Sequence, residues 1–122
     1  MFTIRVIGEF SAAHKIEGYP GDCSNLHGHN WKVRLTIKTN ELDDLGLSCD
    51  FRKAKSILNQ VLKELDHKFL NDHPWLKGGN PSSERLAKAI YNNALPLLPP
   101  MMILDSVELF ESDRSSVEYR EN

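Results

Sequence analysis

The chain has 122 residues and a formal charge of −2, which gives no basic field for binding nucleic acid or an anionic membrane. The length suits a single domain over residues 1–122, and 40% hydrophobic residues are typical of a globular rather than a disordered protein. No apolar run approaches the roughly 20 residues needed to cross a bilayer, and two cysteines are too few for a disulfide scaffold, so we expect a reduced, cytoplasmic protein.

Two strands are predicted first, because apolar residues alternate with a period of two. The first strand runs from Phe2 to His14 and puts His14 on its apolar face. The second starts at His27, and one of its faces carries His27, His29, Trp31, Val33, Leu35 and Ile37. Residues 15–26 between them contain glycine and proline and are predicted to form a loop. An antiparallel pair would place the end of the first strand beside the start of the second.

Two helices follow. Asp50 is a candidate N-cap for a helix from about Phe51 to Leu65, whose apolar residues recur at i, i+3 and i+4. The second helix is predicted to begin at Pro81 and Ser82, and Pro96 ends it.

Two further strands are predicted at residues 101–111 and 116–120, and Val107, Leu109 and Glu111 share one face of the first of these. The element order ββααββ predicts an α+β fold, with an antiparallel four-stranded sheet and two helices on one face. We expect the other face to be solvated or paired with another subunit.

Three histidines are predicted to converge at one end of the sheet. His27 and His29 lie on the same side of one strand, and His14 ends the neighbouring strand. A single histidine on an apolar face is usually a packed core residue. Three at one edge favour a metal site, and three imidazoles are a ligand set that zinc uses where a fourth position stays open.

Cys23 precedes His27 by four residues, in the loop next to the predicted site. It is either a fourth metal ligand, which would close the site, or a nearby thiolate that acts as a base or nucleophile. The spacing alone does not decide between these roles. We expect Cys49, next to the first helix, to be a packing residue.

Several segments together resemble the 6-pyruvoyl-tetrahydropterin synthase family. They are Phe10-Ser11-Ala12-Ala13-His14, Cys23-x-x-x-His27-Gly28-His29, Asp50-Phe51, Leu65-Asp66-His67-x-x-Leu70-Asn71, Asn80-Pro81-Ser82-Ser83-Glu84, Glu111 and Glu118-Tyr119-Arg120. The three residues between Cys23 and the His-Gly-His segment resemble the queuosine-pathway branch, 6-carboxy-5,6,7,8-tetrahydropterin synthase. Animal-type pyruvoyl enzymes usually have a longer spacing there.

The resemblance implies the tunnelling fold, in which trimers stack as hexamers with active sites between subunits. It also implies a lyase of queuosine biosynthesis. The expected reaction converts 7,8-dihydroneopterin triphosphate to 6-carboxy-5,6,7,8-tetrahydropterin and releases acetaldehyde and triphosphate.

By the same resemblance, zinc would be bound by His14, His27 and His29, and Cys23 would be the general base. His67, supported by Asp66, would relay protons and would come from a neighbouring chain.

Three further positions are expected to contact the substrate. Glu111 would anchor the pterin by accepting two N–H bonds, and it is also a candidate for the proton relay. Ser82 and Ser83 stand where the family often has threonine beside the pterin, although helix capping explains Ser82 equally well. Lys15, next to a metal ligand, is a candidate phosphate contact.

Some interpretations from the residues alone differ from these roles. Asp66 is also explained as a helix-end residue, and His73, before Pro74, is expected to be a loop residue without a role. The alternative functions are a 6-pyruvoyl-tetrahydropterin synthase and a non-catalytic zinc- or pterin-binding protein whose site is closed by one cysteine and three histidines.

Overall fold

The computed structural model describes residues 1–21 and 24–121, in which five strands form one mixed sheet. The strands are β1 (Phe2–His14), β2 (His27–Thr39), β3 (Lys68–Phe69), β4 (Ile103–Ser112) and β5 (Ser115–Tyr119), in the order β3-β1-β2-β4-β5. The predicted α+β class is confirmed, as are the four long or terminal strands. The prediction of a purely antiparallel four-stranded sheet was incomplete, because β3 pairs in parallel with Ala12 and Ala13 of β1. Two residues are too few to show an alternating pattern.

The pairing of β1 with β2 determines where the site residues lie. The two strands are antiparallel along their whole length, from Phe2 opposite Thr39 to His14 opposite His27. This confirms that the end of the first strand lies beside the start of the second. β4 pairs with the other edge of β2, and β5 pairs with β4.

Helix α1 spans Phe51–Leu62, and the Asp50 carboxylate caps it by accepting a hydrogen bond from the backbone N–H of Arg52. The helix ends three residues before the predicted Leu65, because residues 63–66 form tighter turns that lead into β3. Leu65 is nevertheless completely buried, so the apolar pattern continued beyond the helical hydrogen bonds.

Helix α2 spans Ser83–Ala94, and the Ser82 side chain caps it by accepting from the backbone N–H of Arg85. A short 3-10 turn, Leu95–Leu97, contains Pro96 and ends the helical segment. Within the described residues, neither α-helix is long and apolar enough to span a membrane.

The core lies between the two helices and one face of the sheet. Gly8 lets α1 approach β1 closely, since a Cβ at this position would lie 2.9 Å from Leu62 Cδ1 and 3.0 Å from Leu58 Cδ2. The buried face of the sheet is formed by Ile4, Val6, Phe10, Ala12, Trp31, Val33, Leu35, Ile37, Leu104, Val107 and Leu109. These residues continue directly into the histidine end of the sheet.

The opposite face of the sheet carries charged side chains that pair across strands. Arg34 lies 2.7 Å from Glu108, and Lys38 lies 3.1 Å from Asp105. The Lys32 ammonium group sits over the Phe110 ring, 4.5 Å from its centroid. This face is therefore polar, as expected for a surface that meets water or the polar surface of another subunit.

The packing of α1 on the sheet gives a stability prediction. Leu58 is fully buried, and Leu58→Ala is expected to lower the free energy of unfolding by about 2–5 kcal/mol because it leaves a cavity. Leu45 is 83% exposed, so the matched control Leu45→Ala should change it by no more than about 0.5 kcal/mol. Urea unfolding of both variants measures the difference, and equal effects would contradict the assigned packing.

Candidate metal centre and active site

Three imidazoles meet where β1 ends and β2 begins. His14 is opposite His27 in the strand pair, and His29 is opposite Ala12. The ring centroid of His14 lies 4.6 Å from that of His27 and 5.4 Å from that of His29, while His27 and His29 are 4.7 Å apart. The predicted convergence of the three side chains is therefore present in the fold.

Hydrogen bonds to backbone carbonyls fix the tautomers of two of these rings. His14 Nδ1 is 2.8 Å from the carbonyl oxygen of Pro81, and His27 Nδ1 is 2.7 Å from that of Asn25. A carbonyl only accepts, so Nδ1 carries the proton in both rings and Nε2 keeps a free lone pair. Metal-binding histidines are oriented by carbonyl contacts of this kind.

Glu111, near the end of β4, joins the histidines. Its Oε1 lies 2.7 Å from His29 Nε2 and 3.9 Å from His14 Nε2, and the Ser83 hydroxyl donates to its Oε2 at 2.9 Å. One donor atom from each of His14, His27, His29 and Glu111 can be chosen so that all lie within 4.8 Å of one another. The family resemblance implies a pterin anchor and a candidate proton relay at Glu111, and the structure adds that its carboxylate lies among the possible metal donors.

The polar atoms of this cluster fit a bound cation. Nε2 of His14 and Nε2 of His29 are buried and have no hydrogen-bond partner among residues 1–21 and 24–121. A buried polar atom without a partner costs free energy, and metal coordination removes that cost. Burial also lowers the pKa of His29, an effect that the nearby Glu111 carboxylate partly opposes, and the neutral imidazole is the form that binds metals.

Trp31 forms the base of the cluster. It is completely buried, and its ring meets those of His14 and His29 edge to face, with centroids 5.1 and 5.0 Å away. Its indole N–H donates to the carbonyl oxygen of Ala12 at 3.3 Å. The rings are thus held against a rigid aromatic surface that excludes water from one side.

Arg85 and two asparagines organise the loops around His14. The Arg85 guanidinium donates to the carbonyl oxygens of Leu76, Lys77 and Asn80, just before the carbonyl of Pro81 that His14 contacts. The side-chain amide of Asn80 pairs with the backbone N–H and C=O of Glu17, and that of Asn71 pairs in the same way with Lys15. Sequence reasoning noted both asparagines in the family segments without giving them this role, because the contacts span more than 50 residues.

Asp66 and His67 form a separate pair at the β3 edge of the sheet, outside the donor cluster. Asp66 accepts a hydrogen bond from the backbone N–H of Ser11 at 2.9 Å and lies 2.9 Å from His67 Nδ1. The Ser11 N–H, and then His67, lower the pKa of Asp66, which keeps it ionised. The His67 side chain is 82% exposed, and its backbone has a φ of 59°. Asp66 lies beyond the end of α1 and orients His67, so it is more than a helix-end residue.

The other predicted site residues have different surroundings. Ser82 caps α2, as its alternative interpretation stated, whereas Ser83 contacts Glu111. Lys15 lies 3.8 Å from Glu17 and lines a polar pocket that also contains Asp72, so carboxylates partly offset its charge. Cys23 lies outside the described residues. Cys49 is buried, and burial raises its pKa, in agreement with a packing role.

His73 lies in a loop, as predicted, but it has a structural role that the sequence did not indicate. His73 is buried, its Nε2 donates to the carbonyl oxygen of Glu64 at 2.9 Å, and its Nδ1 accepts from the backbone N–H of Trp75 at 3.2 Å. It therefore caps the 3-10 turn Pro74–Leu76 and ties it to the turns that follow α1. A His-Pro dipeptide in a polar segment does not reveal burial.

Comparison with known proteins agrees with this geometry. A model of the family described as 6-pyruvoyl tetrahydropterin synthase matches residues 3–122. A 6-pyruvoyl tetrahydrobiopterin synthase of Dictyostelium discoideum is 35% identical over 82% of this chain and 74% of its own length. A 6-carboxy-5,6,7,8-tetrahydropterin synthase of Synechocystis is 33% identical over 90% of this chain and 86% of its own.

The fold is matched as well as the sequence. The structure of the 6-pyruvoyl tetrahydropterin synthase of Caenorhabditis elegans superposes with a TM-score of 0.86, at 25% identity, over 99% of this chain and 96% of that one. The sheet with two helices is therefore the tunnelling fold, and the family resemblance drawn from separate segments is confirmed over nearly the whole chain. The chain belongs to the 6-pyruvoyl tetrahydropterin synthase family.

Proposed function

We propose that the protein is a zinc-dependent lyase that converts 7,8-dihydroneopterin triphosphate to 6-carboxy-5,6,7,8-tetrahydropterin, with release of acetaldehyde and triphosphate. The observation that carries the proposal is the cluster of three imidazoles beside Glu111, in a chain that belongs to this family. The buried Nε2 atoms of His14 and His29, which make no hydrogen bond to any residue that the structure describes, support a bound ligand at this cluster.

The choice of product rests on the loop before β2. Relatives with either product name are about equally similar to this chain, at 35% and 33% identity, so overall identity does not decide between them. The three residues between Cys23 and His27 favour the carboxy-pterin branch. The second candidate is a 6-pyruvoyl-tetrahydropterin synthase, which the Dictyostelium relative favours.

His14, His27 and His29 would hold the metal through Nε2. Three histidines with an open position are a typical set for catalytic zinc, which acts as a Lewis acid on substrate oxygens and makes the neighbouring C–H bonds more acidic. The Pro81 and Asn25 carbonyls keep His14 and His27 in the tautomer that binding requires. Trp31 holds the rings of His14 and His29 in place.

The proton transfers are assigned to two groups. Cys23 acts as the general base, since a thiolate is stabilised beside a cation. His67 relays protons, and Asp66 orients it by accepting the Nδ1 proton, which leaves Nε2 free to exchange a proton with substrate. Glu111 anchors the amino-pyrimidine edge of the pterin, with Ser83 beside it.

The position of the Asp66–His67 pair supports a shared active site. Within one chain the pair is exposed at the sheet edge and is not a member of the donor cluster. A ring of identical subunits would bring this pair from one copy to the cluster of the next, because head-to-tail interfaces join two different surfaces. We therefore propose a homo-oligomer, a trimer or hexamer, acting in the cytoplasm.

Metal content tests the cluster directly. His29→Ala is expected to lose most bound zinc, because it removes a direct ligand, whereas His67→Ala should keep about one zinc per chain and lose turnover. Elemental analysis of the purified proteins after dialysis measures both. A His29→Ala protein with a full complement of zinc would rule out the assigned ligand set.

Product analysis tests the reaction. With dihydroneopterin triphosphate, the zinc-loaded protein should release acetaldehyde, detected with a coupled alcohol dehydrogenase, together with carboxy-pterin. Pyruvoyl-pterin without acetaldehyde would establish the second candidate instead.

Cys23→Ala should reduce turnover by at least about a hundredfold, the typical effect of losing a general base, and retain zinc. Loss of zinc in this variant would mean that the cysteine is a structural ligand and that the site is closed.

Subunit mixing tests the shared site. Cys23→Ala and His67→Ala proteins are each expected to be inactive, and dissociating and reassembling them together should restore part of the activity at interfaces that combine two intact groups. The same treatment of each variant alone is the control. No recovery in the mixed sample, with the oligomer re-formed, would mean that both groups act from one chain.

A further inference from the structure

We propose that Glu111 is a fourth metal ligand in the substrate-free protein and that the arriving pterin draws it away, with Ser83 as the residue that positions it. This inference rests on the proposed function, because it concerns the same metal and the same substrate. It assigns Glu111 two alternating roles, first closing the coordination sphere and then anchoring the substrate.

The first support is the contact between Glu111 and His29. Oε1 lies 2.7 Å from Nε2, close enough for one positive centre, a proton or a metal ion, to lie between the two atoms. Two lone pairs this close repel each other unless a proton or a metal ion lies between them, and the metal site that His14 and His27 share with His29 favours the metal ion. Oxygen and imidazole nitrogen are both ligands that zinc accepts.

The second support is that both carboxylate oxygens are already engaged. Oε2 accepts a hydrogen bond from the Ser83 hydroxyl at 2.9 Å, while Oε1 faces the histidines. Anchoring the pterin through two N–H bonds needs both oxygens. With Oε1 directed to the histidines, only Oε2 is left to face the pterin edge, so a two-point contact requires the carboxylate to turn when substrate binds.

The third support is space for that movement. A pocket of about 250 Å³ borders the same carboxylate, and its walls include Leu109, Val117, Ser83 and Ser116. The Glu111 side chain is 35% exposed, so it is not locked by packing. Glu84 also lines this pocket, so the bound pterin and not the pocket alone would hold the turned carboxylate there.

Ser83 sets the resting position in this scheme. Ser83 is the first residue of α2, directly after the N-cap residue Ser82, so the helix holds it in place. Its hydroxyl fixes Oε2 and thereby directs Oε1 to the cluster. Residues that orient a metal ligand typically change metal affinity by about 10- to 100-fold when they are removed.

Substitution with Co²⁺ tests the proposal, because its visible absorption bands respond to the number and type of ligands. The experiment uses the Cys23→Ala protein as background, so that the thiol cannot provide the fourth ligand. Glu111→Gln is expected to shift the Co²⁺ bands and to weaken Co²⁺ binding by at least about tenfold. The control Glu118→Gln, which removes an exposed carboxylate from β5, should change neither.

Adding unsubstituted pterin, which lacks the reacting side chain, should shift the bands of the background protein in the same direction as Glu111→Gln. It should not shift the bands of the Glu111→Gln protein. Ser83→Ala should weaken Co²⁺ binding, and Ser83→Thr, which keeps the hydroxyl, should restore it.

Unchanged bands and affinity in Glu111→Gln would overturn the inference, as would a pterin-induced shift that persists in that variant. Neither outcome would bear on whether the unmodified protein releases acetaldehyde, so the proposed function would still stand. Conversely, a protein that makes no carboxy-pterin but shows the expected Co²⁺ changes would refute the proposed function and not the ligand role of Glu111.

Discussion

The register of β1 against β2 is the constraint on which the candidate site depends. Pairing His14 with His27 and Ala12 with His29 brings three imidazoles together at one end of the sheet. A slip of one residue would turn the side chains of one strand to the opposite face and disperse the donor atoms. Phe10 and Trp31, stacked with centroids 5.9 Å apart, fix this register because they are buried in the core next to the histidines.

The same packing that stabilises the fold prepares the histidines for a ligand. The Nε2 atoms of His14 and His29 are buried and make no hydrogen bond to the residues that the structure describes, which is unfavourable. The Pro81 and Asn25 carbonyls prevent His14 and His27 from using the other tautomer. Pro81 is in turn held by the loop that Arg85 ties down. A bound cation would remove this local cost, so the proposed metal would also stabilise the fold.

Local periodicity explains which features were predictable from the sequence. Alternation located β1 and β2, and the i, i+3, i+4 pattern located α1, since both follow from burial of one face. The two-residue β3 has too few residues for any period, and the burial of His73 depends on a carbonyl contributed by Glu64. The place of Glu111 beside His29 depends on the pairing of β4 with β2, for which spacing along the chain carries no signal.

One chain holds two chemically incomplete parts of the proposed active site. The histidine cluster offers the donor atoms for the proposed metal, whereas Asp66 and His67 lie outside it, with the His67 side chain 82% exposed at the sheet edge. The left-handed backbone of His67 and its hydrogen bond to Ser11 maintain that outward position against the ordinary preference of a non-glycine residue. An outward-facing imidazole held at a local cost is what the proposed site between subunits requires, so the proposed mechanism includes assembly.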